Sequence, residues 1–160
     1  MIQSTAADLN CYTGMNITEI CPFKYNTGNQ CAHFVSHAVG IAVGATCKNA
    51  SWENRQNKAI AQGASLRANE VYNSCVSRGP WGERNAAIAT CLIFVTCDSN
   101  VTGNMMLDAP QKHVGVYLNG TIWHYSNTHG RVQTDTVDSW FSKFKGIYSG
   151  NVSLFYAVPA

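Results

Sequence analysis

The spacing of hydrophobic residues divides the chain into a helical part followed by a part rich in strands. Residues 1–28 look irregular, and a helix is predicted to begin near Gln30, with Asn29 as its N-cap. Its apolar stripe recurs at helical spacing and consists of Cys31, Phe34, Val35, Ala38 and Ile41 or Ala42. Residues 52 to about 75 indicate one or two further helices with a break near Gly63, and residues 77–85 read as a loop.

Further along the chain, short apolar and alternating segments predict an antiparallel sheet. Strands are expected at residues 90–97, 112–118, 121–126 and 152–158, with a short amphipathic helix at 136–144. Residues 98–111 form a long polar loop, and loops of this length are usually functional. Helices followed by an antiparallel sheet indicate an α+β fold. No repeat or linker divides the chain, so we expect a single domain covering residues 1–160.

The dipeptide Asn119-Gly120 allows two histidines to be placed in space. Asn-Gly favours a two-residue type I′ turn, because both central residues must adopt positive φ. That turn pairs Leu118 with Thr121 and, by continuation, Gly115 with His124. His113 and His124 are then diagonal neighbours on one face, with Cα atoms roughly 7–8 Å apart. One imidazole could therefore orient the other as a catalytic base.

Cys31 occupies the setting expected of a thiol nucleophile. It lies in the first turn of the predicted helix, where free amides and the helix dipole favour a thiolate and could hold the oxyanion of a tetrahedral intermediate. The side chain of Gln30 is a second candidate for the oxyanion, although a surface role fits it equally well. A nucleophile, a base and a group that orients the base together indicate covalent catalysis.

These segments resemble a known group of enzymes. Asn29-Gln30-Cys31-Ala32-His33-Phe34-Val35, followed by His113-Val114-Gly115-Val116-Tyr117-Leu118 and Trp123-His124-Tyr125-Ser126, is similar to the NlpC/P60 and CHAP families of papain-like peptidases. Within that group the chain looks most like a type VI secretion amidase effector of the third family. It departs from NlpC/P60 in having Ala32-His33-Phe34 after the cysteine in place of Ser-Gly-Phe.

The resemblance implies a papain-like fold whose cysteine-bearing helix packs on an antiparallel sheet. It also implies a nucleophile at Cys31, a general base at His113 and an orienting residue at His124. The expected activity is hydrolysis of peptidoglycan peptide cross-links, with the bond between diaminopimelate and D-alanine favoured. A secreted effector would act in the periplasm of a target bacterium, and a cognate immunity protein would block its cleft. No cofactor or metal is expected.

Composition narrows the function classes further. In 160 residues, hydrophobic residues make up 46% and charged residues 12%, as expected of a globular protein. The 11 Lys and Arg residues are scattered and the net charge is +2, which argues against a nucleic-acid binder. No stretch is apolar enough to span a bilayer, and residues 1–10 lack the features of an ordinary signal peptide.

The seven cysteines leave two interpretations open. An oxidising destination predicts disulfides with one free thiol left over, whereas buried reduced cysteines are the alternative. His33 and His37 are four residues apart, a spacing that can chelate zinc, but no Glu follows the first histidine and no Cys-x-x-Cys pair supports a site. They are interpreted as a solvated or hydrogen-bonded helix face. Trp81, in a Gly-Pro-Trp-Gly loop, is a candidate for lining a cleft.

Three rival functions stay open at the level of sequence. The same scaffold could cut the bond between D-glutamate and diaminopimelate, or could transfer an acyl group to a lipid or an amine. A protein of a different class, a disulfide-rich secreted binding protein without activity, would need neither Cys31 nor His113.

Overall fold

The structure is a computed structural model that describes residues 1–56 and 62–160. This part of the chain contains six α-helices and eight β-strands, a mixed α+β architecture. The helices are α1 (Ala6–Asn10), α2 (Ile17–Ile20), α3 (Cys31–Val39), α4 (Trp52–Gln56), α5 (Ala68–Ser74) and α6 (Val137–Ile147). The strands are β1 (Ser77–Pro80), β2 (Thr90–Cys97), β3 (Val101–Thr102), β4 (Met105–Met106), β5 (Lys112–Leu118), β6 (Thr121–Ser126), β7 (Arg131–Thr136) and β8 (Val152–Val158).

Six of the strands form one antiparallel sheet in the order β1-β8-β2-β5-β6-β7. Strand β2 lies near the middle because nearly all of its residues are apolar and buried, as a strand covered on both faces requires. The predicted antiparallel sheet is therefore confirmed. Among the described residues, no helix is long and apolar enough to cross a bilayer.

The β5–β6 hairpin positions the histidines. Asn119 and Gly120 both have positive φ, 46° and 94°, as a type I′ turn requires. The pairing between β5 and β6 runs from Leu118↔Thr121 to Val116↔Trp123 and goes no further, whereas β5 pairs with β2 along its whole length. The predicted pairing of Gly115 with His124 is therefore not part of the ladder, although β6 stays close, since a Cβ on Gly115 would lie 3.0 Å from the Trp123 carbonyl oxygen.

The two faces of the sheet carry different helices. Helix α3 covers one face, where Phe34 and Val35 join Val114 and Val116 in the larger core. Helix α6 covers the other face, where Trp140 and Phe144 pack with residues such as Ile93 and Val95 in a second cluster. Because side chains alternate along a strand, neighbouring residues of β5 belong to different cores.

Several predicted elements need correction. Helix α3 begins at Cys31, and its cap position is Gln30, one residue after the predicted N-cap. Residues 77–85, expected to be a loop, contain β1 and a 3₁₀ turn, and β7 was not predicted. Residues 98–111, also expected to be a loop, contain another 3₁₀ turn and the two-stranded sheet of β3 and β4. The N-terminal region contains α1 and α2, each closed by a capping box. Part of the helical region predicted at 52–75 lies outside the described residues, at 57–61.

Candidate active site

Cys31 is the first residue of α3 and is held there by a pair of asparagines. The Oδ1 atom of Asn29 accepts the Cys31 N–H at 2.9 Å, and it also accepts from Nδ2 of Asn127 at 3.0 Å. Asn127 in turn accepts the backbone N–H of Gln30 at 2.9 Å. These bonds tie the beginning of the helix to the turn after β6, so the position of Cys31 is fixed from both sides.

Cys31 lines a cleft of about 400 Å³. The walls come from four segments: the residues before α3, the loop after it, the residues that lead into α5, and residues 108–112 at the beginning of β5. Charged groups at the cleft are Arg67, Asp108 and Lys112, and Lys112 forms an ion pair of 2.8 Å with Asp108. A side chain that is almost fully buried thus faces a space large enough for a peptide segment.

Cys31 is a neutral thiol in this environment. Burial raises the pKa of Cys31 to about 11, although backbone hydrogen bonds from Val114, Ala32 and Cys31 itself act in the opposite direction. The amides at the beginning of the helix therefore favour the thiolate, as expected, but the loss of water around the sulfur outweighs them. A group that accepts the proton during attack is needed.

His113 lies near the beginning of β5 in an aromatic pocket. Its ring stacks on Phe144 with centroids 4.8 Å apart and lies 5.9 Å from the ring of Trp140. Burial lowers the pKa of His113 well below its ordinary value, and the neighbouring His124 and Lys143 lower it further. The imidazole is therefore neutral. The ring hydrogen-bonds to the backbone of Tyr125, and its Nε2 atom is buried without a hydrogen-bond partner among the described residues.

His124 connects His113 to a carboxylate. The rings of the two histidines lie edge to face with centroids 5.5 Å apart, which confirms the predicted neighbourhood. On its other side, Nε2 of His124 lies 2.7 Å from Oδ2 of Asp135, and Lys143 Nζ lies 3.1 Å from the same oxygen. Burial lowers the pKa of His124, while Asp135 raises it, so that a neutral ring donates to the carboxylate. Nδ1 of His124 and Nε2 of His113 have no hydrogen-bond partner among the described residues, so the two rings are in packing contact, and the hydrogen bond from His124 ends at Asp135, which was not predicted.

Cys31 and His113 approach from opposite faces of β5. Cys31 packs with the core under α3, and the backbone of Val114 hydrogen-bonds to its thiol. His113 precedes Val114 in the strand and belongs with Val95 to the α6 face. No hydrogen bond links His113 Nε2 to the thiol, so the pairing of sulfur and imidazole as nucleophile and base stays a prediction.

The groups predicted to hold the oxyanion, and Trp81, also have surroundings that differ from those expected. The Cys31 N–H is already donated to Asn29, and the Gln30 side chain is turned away, with Nε2 donating to the Gly28 carbonyl. Neither group is free to hold an oxyanion in this conformation. Trp81 packs against the ring of Tyr117 at 5.0 Å and under Arg84, on the face opposite α3.

The cysteines and the α3 histidines have different surroundings from those expected. All seven cysteines are free thiols, and the expected disulfides are not formed. His33 is fully buried, which rules out a solvated face, although it does form hydrogen bonds. Its neighbours His37, Cys21 and Cys47 form a second polar cluster with it, distinct from the one around His113.

Two features of the site escaped sequence reasoning. Asp135 lies in a polar strand with a single fully buried residue, Val132, so the alternation that identifies a strand is weak there. Pairing of β7 with β6 brings Asp135 opposite Ile122, next to His124. In the sequence, Cys21 precedes His33 and Cys47 follows His37. Two histidines flanked by two cysteines were the signal from which this cluster could have been predicted.

No protein-family model matches this chain, and a search of curated proteins finds no match either. Function is therefore inferred from the residues of the site and from the motifs they form.

Proposed function

We propose that this protein is a cysteine amidase or endopeptidase of papain-like fold that hydrolyses a peptide bond in bacterial peptidoglycan. The observation that carries the proposal is the position of Cys31, at the start of a helix and at the wall of a cleft, next to the strand that carries His113. The ring of His124 packs against that of His113, and His124 is hydrogen-bonded to Asp135. The resemblance to NlpC/P60 and CHAP enzymes assigns the same roles to Cys31, His113 and His124.

The reaction follows from the protonation states. As the Cys31 sulfur attacks the amide carbonyl, its proton passes to His113, and the carbonyl oxygen becomes an oxyanion. His113 then gives that proton to the leaving amine, so that the C–N bond breaks and a thioester forms on Cys31. Water attacks the thioester with His113 as base, which releases a carboxylic acid and restores the thiol.

Because both groups are neutral at rest, proton transfer has to accompany attack. Burial disfavours a thiolate on Cys31 and an imidazolium on His113. Asp135 stabilises positive charge that reaches His124, and His124 lies at ring-contact distance from His113. We infer that substrate binding is accompanied by a rearrangement at the beginning of β5 that brings the thiol and the imidazole together.

The cleft offers cationic groups to a carboxylate of the substrate. Arg67 and Lys112 line the same cleft as Cys31, together with Asp108. In a cross-link the side-chain amine of diaminopimelate is acylated by D-alanine, so a carboxylate stands on the carbon next to the scissile amide, and Arg67 and Lys112 can pair with it. We therefore favour the bond between diaminopimelate and D-alanine. We also propose that the protein is a secreted antibacterial effector that acts in the periplasm and is blocked at this cleft by an immunity protein.

Digestion of purified peptidoglycan sacculi tests the proposal. Wild-type protein should release cross-link fragments identified by mass spectrometry, and Cys31→Ala should reduce release by at least about 1,000-fold. Cys97→Ala is the matched control, because that thiol lies away from the cleft and bonds to the Ser149 carbonyl. Equal digestion by wild type and Cys31→Ala would exclude Cys31 as the nucleophile. Fragments produced by cleavage between D-glutamate and diaminopimelate would support the enzymatic activity but assign it a different scissile bond.

One observation favours a non-catalytic protein as the second candidate. Cys31 is 3% exposed, and its thiol has a raised pKa, which are properties of an inert buried cysteine. A binding protein of this kind would release no fragments from any sacculus, and its binding would survive Cys31→Ala and His113→Ala.

A further inference from the structure

Four side chains away from His113 converge at the middle of α3. Cys21 follows α2, His33 and His37 lie one turn apart on α3, and Cys47 lies in the loop after that helix. One atom from each residue, a sulfur or an imidazole nitrogen, lies within 4.8 Å of the others. Three of the four side chains are buried and the fourth is half-buried.

The distances in this cluster correspond to the edges of a metal-centred tetrahedron. With zinc–nitrogen bonds of about 2.0–2.1 Å and zinc–sulfur bonds of about 2.3 Å, two nitrogens are separated by about 3.3 Å and a nitrogen and a sulfur by about 3.6 Å. The Nε2 atoms of His33 and His37 are 3.2 Å apart. Nε2 of His37 lies 3.7 Å from Sγ of Cys47. Both separations leave room for one ion between the four atoms.

The His33 ring is oriented as a metal ligand. Nε2 of Gln30 donates to the Gly28 carbonyl, so the Oε1 atom of the same amide must be the one facing His33. That oxygen lies 2.8 Å from Nδ1 of His33, which therefore carries the ring proton. The lone pair is then on Nε2, the atom that points to the cluster. A ligating histidine is normally held in this way by a partner on its other nitrogen.

The sulfur atoms are also held as ligands. The backbone N–H of Ala64 donates to Sγ of Cys47 at 3.1 Å, and the backbone of Tyr25 hydrogen-bonds to Cys21. Amide donors of this kind stabilise the negative charge of a metal-bound thiolate. Two thiolates and one divalent cation sum to zero charge, which a buried position tolerates far better than an isolated ion.

We propose that Cys21, His33, His37 and Cys47 bind one Zn²⁺ ion in a structural site. Two sulfur and two imidazole ligands in tetrahedral arrangement are a donor set that zinc prefers among the divalent metals. All four positions are filled by protein, so no place is left for water or substrate and the ion has a structural role.

The site joins segments that share a small apolar cluster. Among the described residues, its buried members are Cys21, Cys47 and Ala64. The same segments supply Tyr25, Thr27, Ala45 and Asn49 to the cleft that contains Cys31, and the Tyr25 ring contacts that of His33 at 5.6 Å. Zinc therefore fixes the wall of the cleft while taking no part in the reaction.

Metal analysis of the reduced full-length protein tests the site. Protein produced with zinc and purified under a thiol reductant should contain one zinc per chain by elemental mass spectrometry. After zinc is removed, added Co²⁺ should give the visible bands of tetrahedral cobalt together with thiolate-to-cobalt charge transfer. Gln30→Ala should weaken zinc binding by about 10- to 100-fold, because it frees the His33 ring without removing a ligand.

Matched variants separate the ligands from other residues of the same type. Cys47→Ser and His37→Gln should lose stoichiometric zinc, whereas Cys97→Ser and His129→Gln should keep it. Cys31→Ala should also keep full zinc, so that the metal site and the hydrolase proposal can fail independently. The zinc proposal is overturned if the folded, reduced wild-type protein contains no zinc and gives no cobalt spectrum. A mass lower by two hydrogens, with Cys21 joined to Cys47 in the peptide map, would equally overturn it in favour of a disulfide.

Discussion

Nε2 of His124 donates to Oδ2 of Asp135 across 2.7 Å, although the two residues are on different strands and neither is directly paired with the other. The bond fixes the His124 ring, whose opposite edge faces the ring of His113. A partly buried carboxylate is thus separated from the proposed base by the ring of His124. This chain of contacts gives the first prediction.

Asp135→Asn should lower the turnover of peptidoglycan fragments about 10- to 100-fold with little change in KM, because an amide cannot stabilise positive charge on the histidines. Asp135→Glu should restore part of the rate, since a carboxylate can be regained at the same place. Lys143→Gln is the matched change, because Lys143 contacts the same oxygen but is itself half-exposed. A loss in Lys143→Gln as large as in Asp135→Asn would mean that the contact is structural only.

The burial of Cys31 predicts an alkaline profile for its alkylation. Iodoacetamide should label Cys31 slowly at neutral pH and progressively faster towards pH 11, because burial raises the pKa of Cys31 to about 11. Peptide mapping by mass spectrometry measures each thiol separately, and exposed Cys11 provides an internal standard. Rapid labelling of Cys31 at neutral pH would instead indicate a preformed thiolate–imidazolium pair.

The buried histidines predict a loss of stability in acid. Burial lowers the pKa of His113 and His124 in the folded state, so the unfolded chain binds more protons below about pH 6.5. Stability contributed by the neutral rings is therefore present above that pH and falls as the pH decreases. Urea unfolding at neutral and mildly acidic pH measures this slope.

His113→Phe should flatten the acid dependence, because it removes one such ring while keeping an aromatic contact with Phe144. His129→Gln, a change at the surface, should leave the slope as it is. An unchanged slope in His113→Phe would show that this histidine is protonated equally in the folded and unfolded chain.

Gly115 predicts a steric test of the hairpin. A Cβ atom there would lie 2.5 Å from Cγ2 of Ile122 and 3.3 Å from Cβ of His124, so Gly115→Ala should destabilise the fold by about 1–3 kcal/mol and displace the His124 ring. Gly146→Ala, on α6, meets no atom within 4 Å and should be neutral or stabilise the helix by about 0.5–1 kcal/mol. Thermal unfolding and sacculus digestion of both variants provide the comparison. Full activity in Gly115→Ala would show that catalysis does not depend on the position of the His124 ring.

The central elements could be predicted from the sequence, whereas the edges could not. Strands β2, β5, β6 and β8 have the expected bounds, because apolar alternation and the Asn119-Gly120 turn define them locally. Strand β1 contains Gly79-Pro80, which reads as a loop, yet proline is tolerated on an edge strand. The neighbourhood of His113 and His124 followed from the turn, since hairpin register is a short-range property.

Features that depend on long-range packing could not be predicted from the sequence. The effect of burial on Cys31 could not be read from its place at a helix start, because desolvation depends on residues such as Val114 that are far along the chain. The convergence of Cys21 with Cys47 likewise requires the loops on both sides of α3 to fold back on that helix. Spacing alone predicts neither.

The placement of α3 and α6 on opposite sides of the sheet has a consequence for how such a protein diversifies. The cleft residues lie on the α3 side, while the rings of His113 and His124 pack against Trp140 on the α6 side. Under the proposed function, changes to the cleft loops are expected to alter ligand recognition without altering the contact between these two rings, because the sheet lies between them.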